Sequence, residues 1–135
     1  MKSVIIYTDG AARGNPGPAG AGWVISDPKG DPLAENKKYL GELTNNQAEY
    51  QALLLAIQEA QKMGAKKLAL HADSELMVRQ IKGEYKVKNE GLKPLFKEAL
   101  LILSKFEGYS IAYIPREKNA MADQLANEAI DDYFG

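Results

Sequence analysis

Four acidic side chains occupy positions where folding alone gives little reason for a carboxylate. Asp9 ends a β-branched segment, Glu49 begins an apolar helical pattern, Asp73 follows a second apolar segment, and Asp123 lies in a helical pattern near the C-terminus. Each acid has a local explanation, because aspartate favours turns and caps and glutamate is stabilised at a helix N-terminus. Together they predict a carboxylate cluster, whose mutual repulsion bound cations would relieve.

The expected cation is a hard divalent metal ion. The chain has no cysteine and a single histidine, His71, so thiolate zinc sites and cysteine nucleophiles are excluded. Oxygen ligands without nitrogen or sulfur suit Mg²⁺ or Mn²⁺ better than zinc. We expect His71 to be packed or hydrogen-bonded within its strand rather than catalytic.

The predicted secondary structure can bring the four acids together. Alternating and β-branched segments predict strands at residues 4–8, 22–25, within 33–43, 67–72 and 109–114. Helices are predicted at about 44–63, 75–82, 92–106 and from a cap at Asn119 onward, the first beginning with a Thr44–Gln47 capping box. Their order predicts an α/β fold: a mixed five-stranded sheet, made of an antiparallel meander plus parallel strands, flanked by helices.

Length and composition limit the functional classes. With 135 residues, 45% of them hydrophobic and 26% charged, residues 1–135 are expected to form one domain. A formal net charge of -1 argues against a protein that coats nucleic acid by bulk positive charge. No apolar run approaches the ~18 residues of a membrane span, and the N-terminal segment is too short for a signal sequence. We therefore expect a cytoplasmic monomer with no membrane association.

Five separated motifs resemble type 1 ribonuclease H, in that family's order and spacing. They are Ile6-Tyr7-Thr8-Asp9-Gly10, Gly14-Asn15-Pro16-Gly17, Thr44-Asn45-Asn46-Gln47-Ala48-Glu49, Asp73-Ser74 and Ala122-Asp123-Gln124-Leu125-Ala126. The resemblance covers essentially the whole chain and implies a short ribonuclease H-like form, without a hybrid-binding domain or basic insertion. It implies an endonuclease that hydrolyses the RNA strand of RNA/DNA hybrids, leaving 3′-hydroxyl and 5′-phosphate ends.

By the same resemblance, Asp9, Glu49, Asp73 and Asp123 are the catalytic and metal-binding residues. Phosphodiester hydrolysis needs an activated water molecule and a stabilised leaving oxygen, and two divalent ions can supply both. We expect two Mg²⁺ ions per site, with Mn²⁺ as a possible substitute. Asp9 is expected to contact both ions, Glu49 and Asp73 to complete one site, and Asp123 to complete the other.

The resemblance also implies residues that bind the RNA strand. Asn15, Asn45 and Asn46 match positions that the family uses near the 2′-hydroxyls of RNA. The 2′-hydroxyl distinguishes RNA from DNA and is both a donor and an acceptor, so side-chain amides are suitable readers. Turn and cap chemistry explains these asparagines equally well, and one amide can serve both purposes.

On the DNA side the resemblance is weaker. Thr44 and Asn89 resemble the family's DNA-phosphate pocket, and Tyr85 falls near an aromatic residue that supports the DNA strand, although ordinary packing also explains Tyr85. Glu42 stands where some relatives carry arginine, which weakens the pocket. Residues 79–105 hold seven basic and three acidic side chains, so we expect modest, salt-sensitive affinity.

The loop after the last predicted strand departs from the better-known members of the family. Residues 114–119 lack the histidine that many members place there, and Arg116 is the candidate to contact the scissile phosphate or to aid product release. Its guanidinium stays protonated, so Arg116 cannot act as a general base.

Three other functions fit the residues less well. A phosphatase with an aspartate nucleophile needs a second carboxylate two residues after Asp9, where the chain has Ala11. A non-catalytic hybrid-binding module of the same fold would not need all four acids. Another metal-dependent nuclease of the same superfamily, acting on DNA, would not need the asparagines at positions 15, 45 and 46.

Overall fold

The structure, a computed structural model, describes residues 3–135. Within that range five β-strands and four α-helices follow one another in a mixed order. They are β1 (Ser3–Ala12), β2 (Gly17–Ser26), β3 (Pro32–Leu43), α1 (Asn45–Lys62), β4 (Lys67–Ala72), α2 (Glu75–Ile81), α3 (Lys93–Leu103), β5 (Gly108–Tyr113) and α4 (Ala120–Phe134), with a 3₁₀ turn at Arg116–Lys118 before α4.

The five strands form one mixed sheet in the order β3-β2-β1-β4-β5. β1, β2 and β3 pair antiparallel through short turns, whereas β4 and β5 run parallel to β1 and are reached through helices, as parallel connections require. This confirms the predicted meander with added parallel strands. β1 and β4 are neighbours, and their register ends with Thr8 opposite Ala72, directly before Asp9 and Asp73.

The first two strands are longer than predicted. β1 and β2 pair as far as Ala12 and Ala19, so the turn between them is confined to residues 13–16. The missed segments are rich in glycine and alanine, which have low strand propensity, and long-range pairing overrides that preference. α2 agrees with its predicted bounds to within one residue, whereas α3 ends at Leu103, before the predicted Phe106.

The two faces of the sheet carry different helices. Val4, Ile6 and Trp23 point to one face and pack with the buried side of α1 in the main hydrophobic core. Because side chains alternate along a strand, Gly20 and Gly22 point to the opposite face, where α4 lies. α1 and α4 therefore approach β1 and β2 from opposite sides.

α4 packs closely on the sheet because the strand beneath it has no side chains at two positions. A Cβ atom at Gly22 would overlap the carbonyl oxygen of Ala122 and lie 2.6 Å from the backbone nitrogen of Ala126. The helix contributes small buried residues to the same contact, so the two backbones meet directly. This contact sets the height of α4 above the sheet.

Two sequence predictions about α4 are wrong. Asn119 occupies the N-cap position, but its side chain makes no cap hydrogen bond; its Nδ2 donates instead to the Thr8 carbonyl oxygen at 2.8 Å. Tyr133 follows Ala126, Ala129 and Ile130 at helical spacing, which predicts a place on the apolar stripe of the helix, but it is 64% exposed and stacks on Tyr39 with ring centroids 3.8 Å apart. Both differences arise from contacts between distant segments, which helical periodicity does not report.

None of the helices within residues 3–135 combines the length and apolar character that crossing a membrane requires.

The close contact between β2 and α4 can be tested by adding one methyl group. Gly22→Ala should lower the free energy of unfolding by about 2 kcal/mol or more, because α4 must move away from the sheet. Urea denaturation followed by circular dichroism measures this change. Gly108→Ala is the matched control, since nothing lies within 4 Å of its added methyl group, and it should stay within about 1 kcal/mol of the parent. Equal stability of the two variants would contradict the proposed contact.

Candidate active site

All four acids predicted from the sequence line one cavity of about 390 Å³ at the end of β1. Asp9 and Asp73 lie side by side because they follow the paired residues of two parallel neighbours, β1 and β4. Asp9 also pairs with Gly22 across the antiparallel contact, so its side chain points to the α4 face of the sheet. The sheet alone therefore brings two carboxylates together.

Glu49 reaches the cavity from the other face of the sheet. The first turn of α1 approaches β1 so closely that a Cβ atom at Gly10 would overlap the backbone of Ala48. The Gly10 backbone N–H donates to Glu49 Oε1 at 2.9 Å, which fixes the carboxylate beside Asp9. Glycine at position 10 thus allows α1 to deliver its acid.

Three of the acids form a compact group. One carboxylate oxygen from each of Asp9, Glu49 and Asp73 lies within 4.8 Å of the others, and Asp9 and Glu49 are each only 4% exposed. Among the residues that the structure describes, Asp123 lines the same cavity but lies outside this compact group.

The electrostatic state of the group reflects its burial. Loss of hydration raises the pKa of Asp9 well above its usual range, and repulsion from Glu49 and Asp73 raises it further. The pKa of Glu49 is also raised, first by burial and then by Asp73, although the hydrogen bond from Gly10 partly opposes the change. The compact group therefore tends to retain protons when no cation compensates its charge.

Asp123 comes from the first turn of α4, and its side chain is 28% exposed. Its interaction with the Asp9 carboxyl is a smaller contribution to the raised pKa of Asp9, after burial and the repulsion from Glu49 and Asp73. Arg116 Nη2 is 3.5 Å from Asp123 Oδ1, and the Arg116 side chain is 77% exposed. The structure thus brings Arg116 to the acid cavity, although it leaves most of the guanidinium open to solvent.

The asparagines predicted to read RNA lie beside the cavity, at the turn after β1 and the start of α1. Asn15 Oδ1 accepts a hydrogen bond from the Asn45 backbone N–H at 3.0 Å. Asn45 lines the cavity, and Asn46 follows it with an exposed side chain. This bond satisfies an N–H at the start of α1 across 30 residues of chain, and it leaves the Asn15 amide nitrogen available for another partner.

The residues predicted for the DNA side do not line the cavity. Thr44 forms the predicted capping box with Gln47, accepting from its backbone N–H at 3.1 Å. Asn89 Oδ1 accepts from the Gly91 N–H at 2.7 Å, and Gly91 lies against the Gln47 side chain. Thr44 and Asn89 thus flank the same part of α1.

Tyr85 lies four residues before Asn89, in the segment between α2 and α3. It is 47% exposed, and the Arg79 guanidinium lies 5.4 Å from the centre of its ring. Arg79 also bonds to Glu75 and Glu84, so its positive charge is already paired.

His71 takes the structural role expected from the sequence. Its ring stacks on Tyr7 with centroids 4.7 Å apart, and Nδ1 lies 3.3 Å from the Ile6 carbonyl oxygen. It does not belong to the compact acid group among the described residues.

Three polar residues of the cavity were missed by sequence reasoning: Arg13, Tyr113 and Asn127. Two of them carried a usable signal. Asn127 follows Asp123 by four residues and therefore shares its helical face, and Tyr113 ends a strand parallel to the one before Asp73. Arg13 reaches the cavity through the turn after β1, and no periodic pattern indicates it.

Known proteins resemble this chain in both sequence and fold. A model of the reverse transcriptase-like family matches residues 7–129. The chain is 43% identical over 126 residues to the ribonuclease HI of Halobacterium salinarum, covering 93% of this chain and 63% of that protein. It is also 43% identical over 129 residues to a bifunctional protein of Mycobacterium tuberculosis, covering 95% of this chain but 35% of the relative. The chain therefore spans only part of these curated relatives.

Solved structures agree over nearly the whole chain. The crystal structure of the Halobacterium salinarum enzyme has a TM-score of 0.94 at 42% identity and covers 96% of this chain and 98% of its own. LC11-RNase H1, isolated from compost and crystallised with an RNA/DNA hybrid, has a TM-score of 0.93 at 50% identity, covering 98% of this chain and 99% of its own. The motifs, the sheet order and these matches together show that the chain belongs to the type 1 ribonuclease H family.

Proposed function

We propose that residues 1–135 form one ribonuclease H domain that hydrolyses the RNA strand of RNA/DNA hybrids. The observation that carries this proposal is the compact group of Asp9, Glu49 and Asp73, with Asp123 in the same cavity. The hybrid bound in the structure of LC11-RNase H1 supports the choice of substrate. A relative named ribonuclease HI supports a nuclease that acts on RNA, and we propose that this one cuts within the strand.

The acid group fits Mg²⁺ or Mn²⁺. Its donors are carboxylate oxygens, which these ions prefer. The pKa values of Asp9 and Glu49 are raised first by burial and then by repulsion from neighbouring carboxylates, which a bound cation would relieve. We propose that Asp9 would contact two ions, that Glu49 and Asp73 would complete one site, and that Asp123 would complete the other. A bound pair of divalent cations would lower the pKa of the attacking water and stabilise charge on the departing 3′ oxygen.

Hydrogen bonds from neighbouring residues fix the positions of the acids. Gly10 orients the Glu49 carboxylate through its backbone N–H, and Asn119 ties the start of α4 to the Thr8 carbonyl, next to Asp9. Such fixed geometry favours attack along one direction on the scissile phosphate. Cleavage between phosphorus and the 3′ oxygen leaves a 3′-hydroxyl on one product and a 5′-phosphate on the other.

We assign RNA recognition to the asparagines beside the cavity. The hydrogen bond from Asn45 occupies Asn15 Oδ1, so Asn15 Nδ2 is the group left to donate to a 2′-hydroxyl. Asn45 lines the cavity itself and Asn46 is exposed next to it, so both can contact the same strand. DNA has no 2′-hydroxyl for these amides to contact.

We assign the DNA strand to the surface that carries Thr44, Tyr85 and Asn89. Thr44 and Asn89 both lie beside the first turn of α1, and Tyr85 offers an exposed ring. Arg79 is paired with two acids and Glu42 lies beside Thr44, so the free positive charge here comes from exposed lysines such as Lys86 and Lys88. Binding should therefore be modest and sensitive to salt.

We also propose that the protein is a monomer that acts in the cytoplasm. A chain without cysteine has no disulfide bonds that reducing conditions could break. No particular feature of the cavity favours a non-catalytic binding module or a DNA-directed nuclease, and both are outcomes of the first test below.

The first test measures cleavage of four labelled substrates. With Mg²⁺ or Mn²⁺ the protein should cut RNA/DNA hybrid and leave DNA duplex intact, with RNA duplex and single-stranded RNA as further comparisons. Asp73→Asn should reduce hybrid cleavage by at least ~100-fold, because it removes a charged ligand from the metal site. Gel analysis of end-labelled strands reports both the rate and the product ends.

Three results would each contradict the assignment. Binding of hybrid without cleavage would indicate a binding module, and cleavage of DNA duplex would indicate another nuclease. Full activity of Asp73→Asn would show that the acid group is not catalytic. Asp31→Asn, in the exposed turn before β3, is the matched control and should leave the rate unchanged.

The raised pKa of Asp9 predicts how metal-free stability depends on pH. Below the unfolded value near 3.8 both states are protonated, whereas at higher pH the folded state alone retains the proton, so stability falls as pH rises toward the folded pKa. Asp9→Asn should therefore raise the melting temperature at pH 8 in a chelator, by an amount on the order of 5 °C, and the gain should shrink toward pH 4.5. A variant that melts no higher than the parent at pH 8 would contradict this.

Arg116→Ala tests the residue in the loop that lacks histidine. The substitution should lower kcat by roughly tenfold but not abolish cleavage, because Arg116 is fully charged and lies at the cavity edge without belonging to the acid group. Arg116→Lys should recover part of the loss by retaining the charge. Steady-state kinetics identical to the parent would exclude a role for Arg116 in turnover.

A further inference from the structure

One face of α4 carries a row of polar residues that begins at the acid cavity and runs away from it. Asp123, Asn127 and Asp131 follow at intervals of four residues, so they lie above one another on the helix. Arg13, in the turn after β1, lies across the same face and contacts two of them. The row therefore connects a predicted metal-binding carboxylate to a distant ion pair.

The connection consists of individual hydrogen bonds. Asn127 Nδ2 donates to the Asp123 main-chain carbonyl at 3.0 Å and lies 3.4 Å from Asp123 Oδ1. On its other side, Asn127 Oδ1 accepts from Arg13 Nη2 at 3.3 Å, and the same Nη2 lies 3.4 Å from the Asn127 carbonyl oxygen. Arg13 Nη1 donates to Asp131 Oδ1 at 2.6 Å.

These neighbours leave only one suitable orientation for the Asn127 amide. The Asp123 side presents only acceptors, so it requires the NH₂ group, and the Arg13 side presents only a donor, so it requires the oxygen. A reversed amide would oppose oxygen to oxygen and N–H to N–H. Arg13 thus keeps the amide N–H of Asn127 directed toward the Asp123 carboxylate.

Asp123 needs such a partner more than the other three acids do. Glu49 is held by Gly10, and Asp9 and Asp73 extend from paired strands, whereas Asp123 stands on the first turn of a helix outside the compact group. Its other neighbours are the Asp9 carboxyl, which offers no N–H donor, and the largely exposed Arg116 at 3.5 Å. A partly exposed carboxylate without a fixed donor loses more conformational freedom on binding a cation.

We propose that Asn127 is a positioning residue, which orients the Asp123 carboxylate for metal binding and is itself held by Arg13 and Asp131. The inference rests on the proposed function, since it concerns the same cavity. Asn127 needs no contact with substrate for this role. Asp131 lies two helical turns from Asp123, so it acts on that carboxylate only through Arg13 and Asn127. Partners that orient a metal ligand commonly change affinity or activity by about 10- to 100-fold when removed.

The test separates metal binding from catalysis. Calorimetric titration of Mn²⁺ without nucleic acid should show about tenfold weaker binding for Asn127→Ala and a smaller loss, ~3-fold, for Asp131→Ala. The kcat on hybrid should fall in the same order at limiting metal, while KM for hybrid stays within about twofold. The metal-free melting temperature of each variant, measured alongside, shows that folding is retained.

Asp132→Ala is the matched control. Asp132 lies next to Asp131 on the same helix and forms an equally exposed ion pair, but with Lys37 of β3 and away from the cavity. It should leave Mn²⁺ affinity and kcat unchanged. Combining Arg13→Ala with Asn127→Ala should cost little more than the larger single change, because both act through one chain of contacts.

The outcomes also distinguish this inference from the proposed function. Unchanged Mn²⁺ affinity in Asn127→Ala, or a change confined to KM and salt dependence, would overturn the positioning role while leaving the nuclease intact. A parent protein that cuts no hybrid, yet binds Mn²⁺ more tightly than Asn127→Ala does, would overturn the proposed function and retain the positioning role. A parent that binds no Mn²⁺ would overturn both.

Discussion

The repulsion among three carboxylates held within 4.8 Å is the interaction on which the rest of the structure depends. Burial makes this repulsion worse, since Asp9 and Glu49 have lost nearly all contact with solvent. Such a group persists only if the surrounding backbone cannot relax to separate its members. The surrounding elements therefore supply rigidity: paired parallel strands, a helix against each face, and hydrogen bonds that fix individual side chains.

Two glycines give the helices their access to the end of β1. Gly10 lets the first turn of α1 touch one face and deliver Glu49, and Gly22 lets α4 touch the other face and deliver Asp123. Asp9 pairs with Gly22 and precedes Gly10, so both close approaches occur next to the central acid. The site is thus built from backbone contacts, which vary less than contacts between long side chains do. Asn119 strengthens the same frame, because its buried amide joins α4 to the residue before Asp9.

The sequence predicted what local patterns encode. Period-two segments located β4 at its observed bounds, and the Thr44–Gln47 spacing located the capping box. The four acids were identified because each stands at the end, the start or the edge of an apolar pattern, within motifs that resemble a known family. Arg13 was missed because its place beside α4 depends on a contact across more than a hundred residues of chain, which no periodicity reports. Asn119 was assigned the wrong partner for the same reason: its type and position favour a cap, but a buried carbonyl oxygen of β1 offered a stronger contact.

The near-neutral composition is consistent with a site that attracts nucleic acid locally. Two arginines line the cavity, and Arg13 is engaged by Asp131, so Arg116 is the cation there that remains most open to a phosphate. Along the surface proposed for the DNA strand, Arg79 is also paired. With two divalent ions bound as proposed, the formal charge would rise from -1 to +3, and all of the increase would lie beside the scissile phosphate. The metal ions would then contribute to substrate binding as well as to chemistry. The neutral asparagines would select RNA without adding positive charge that attracts every polyanion.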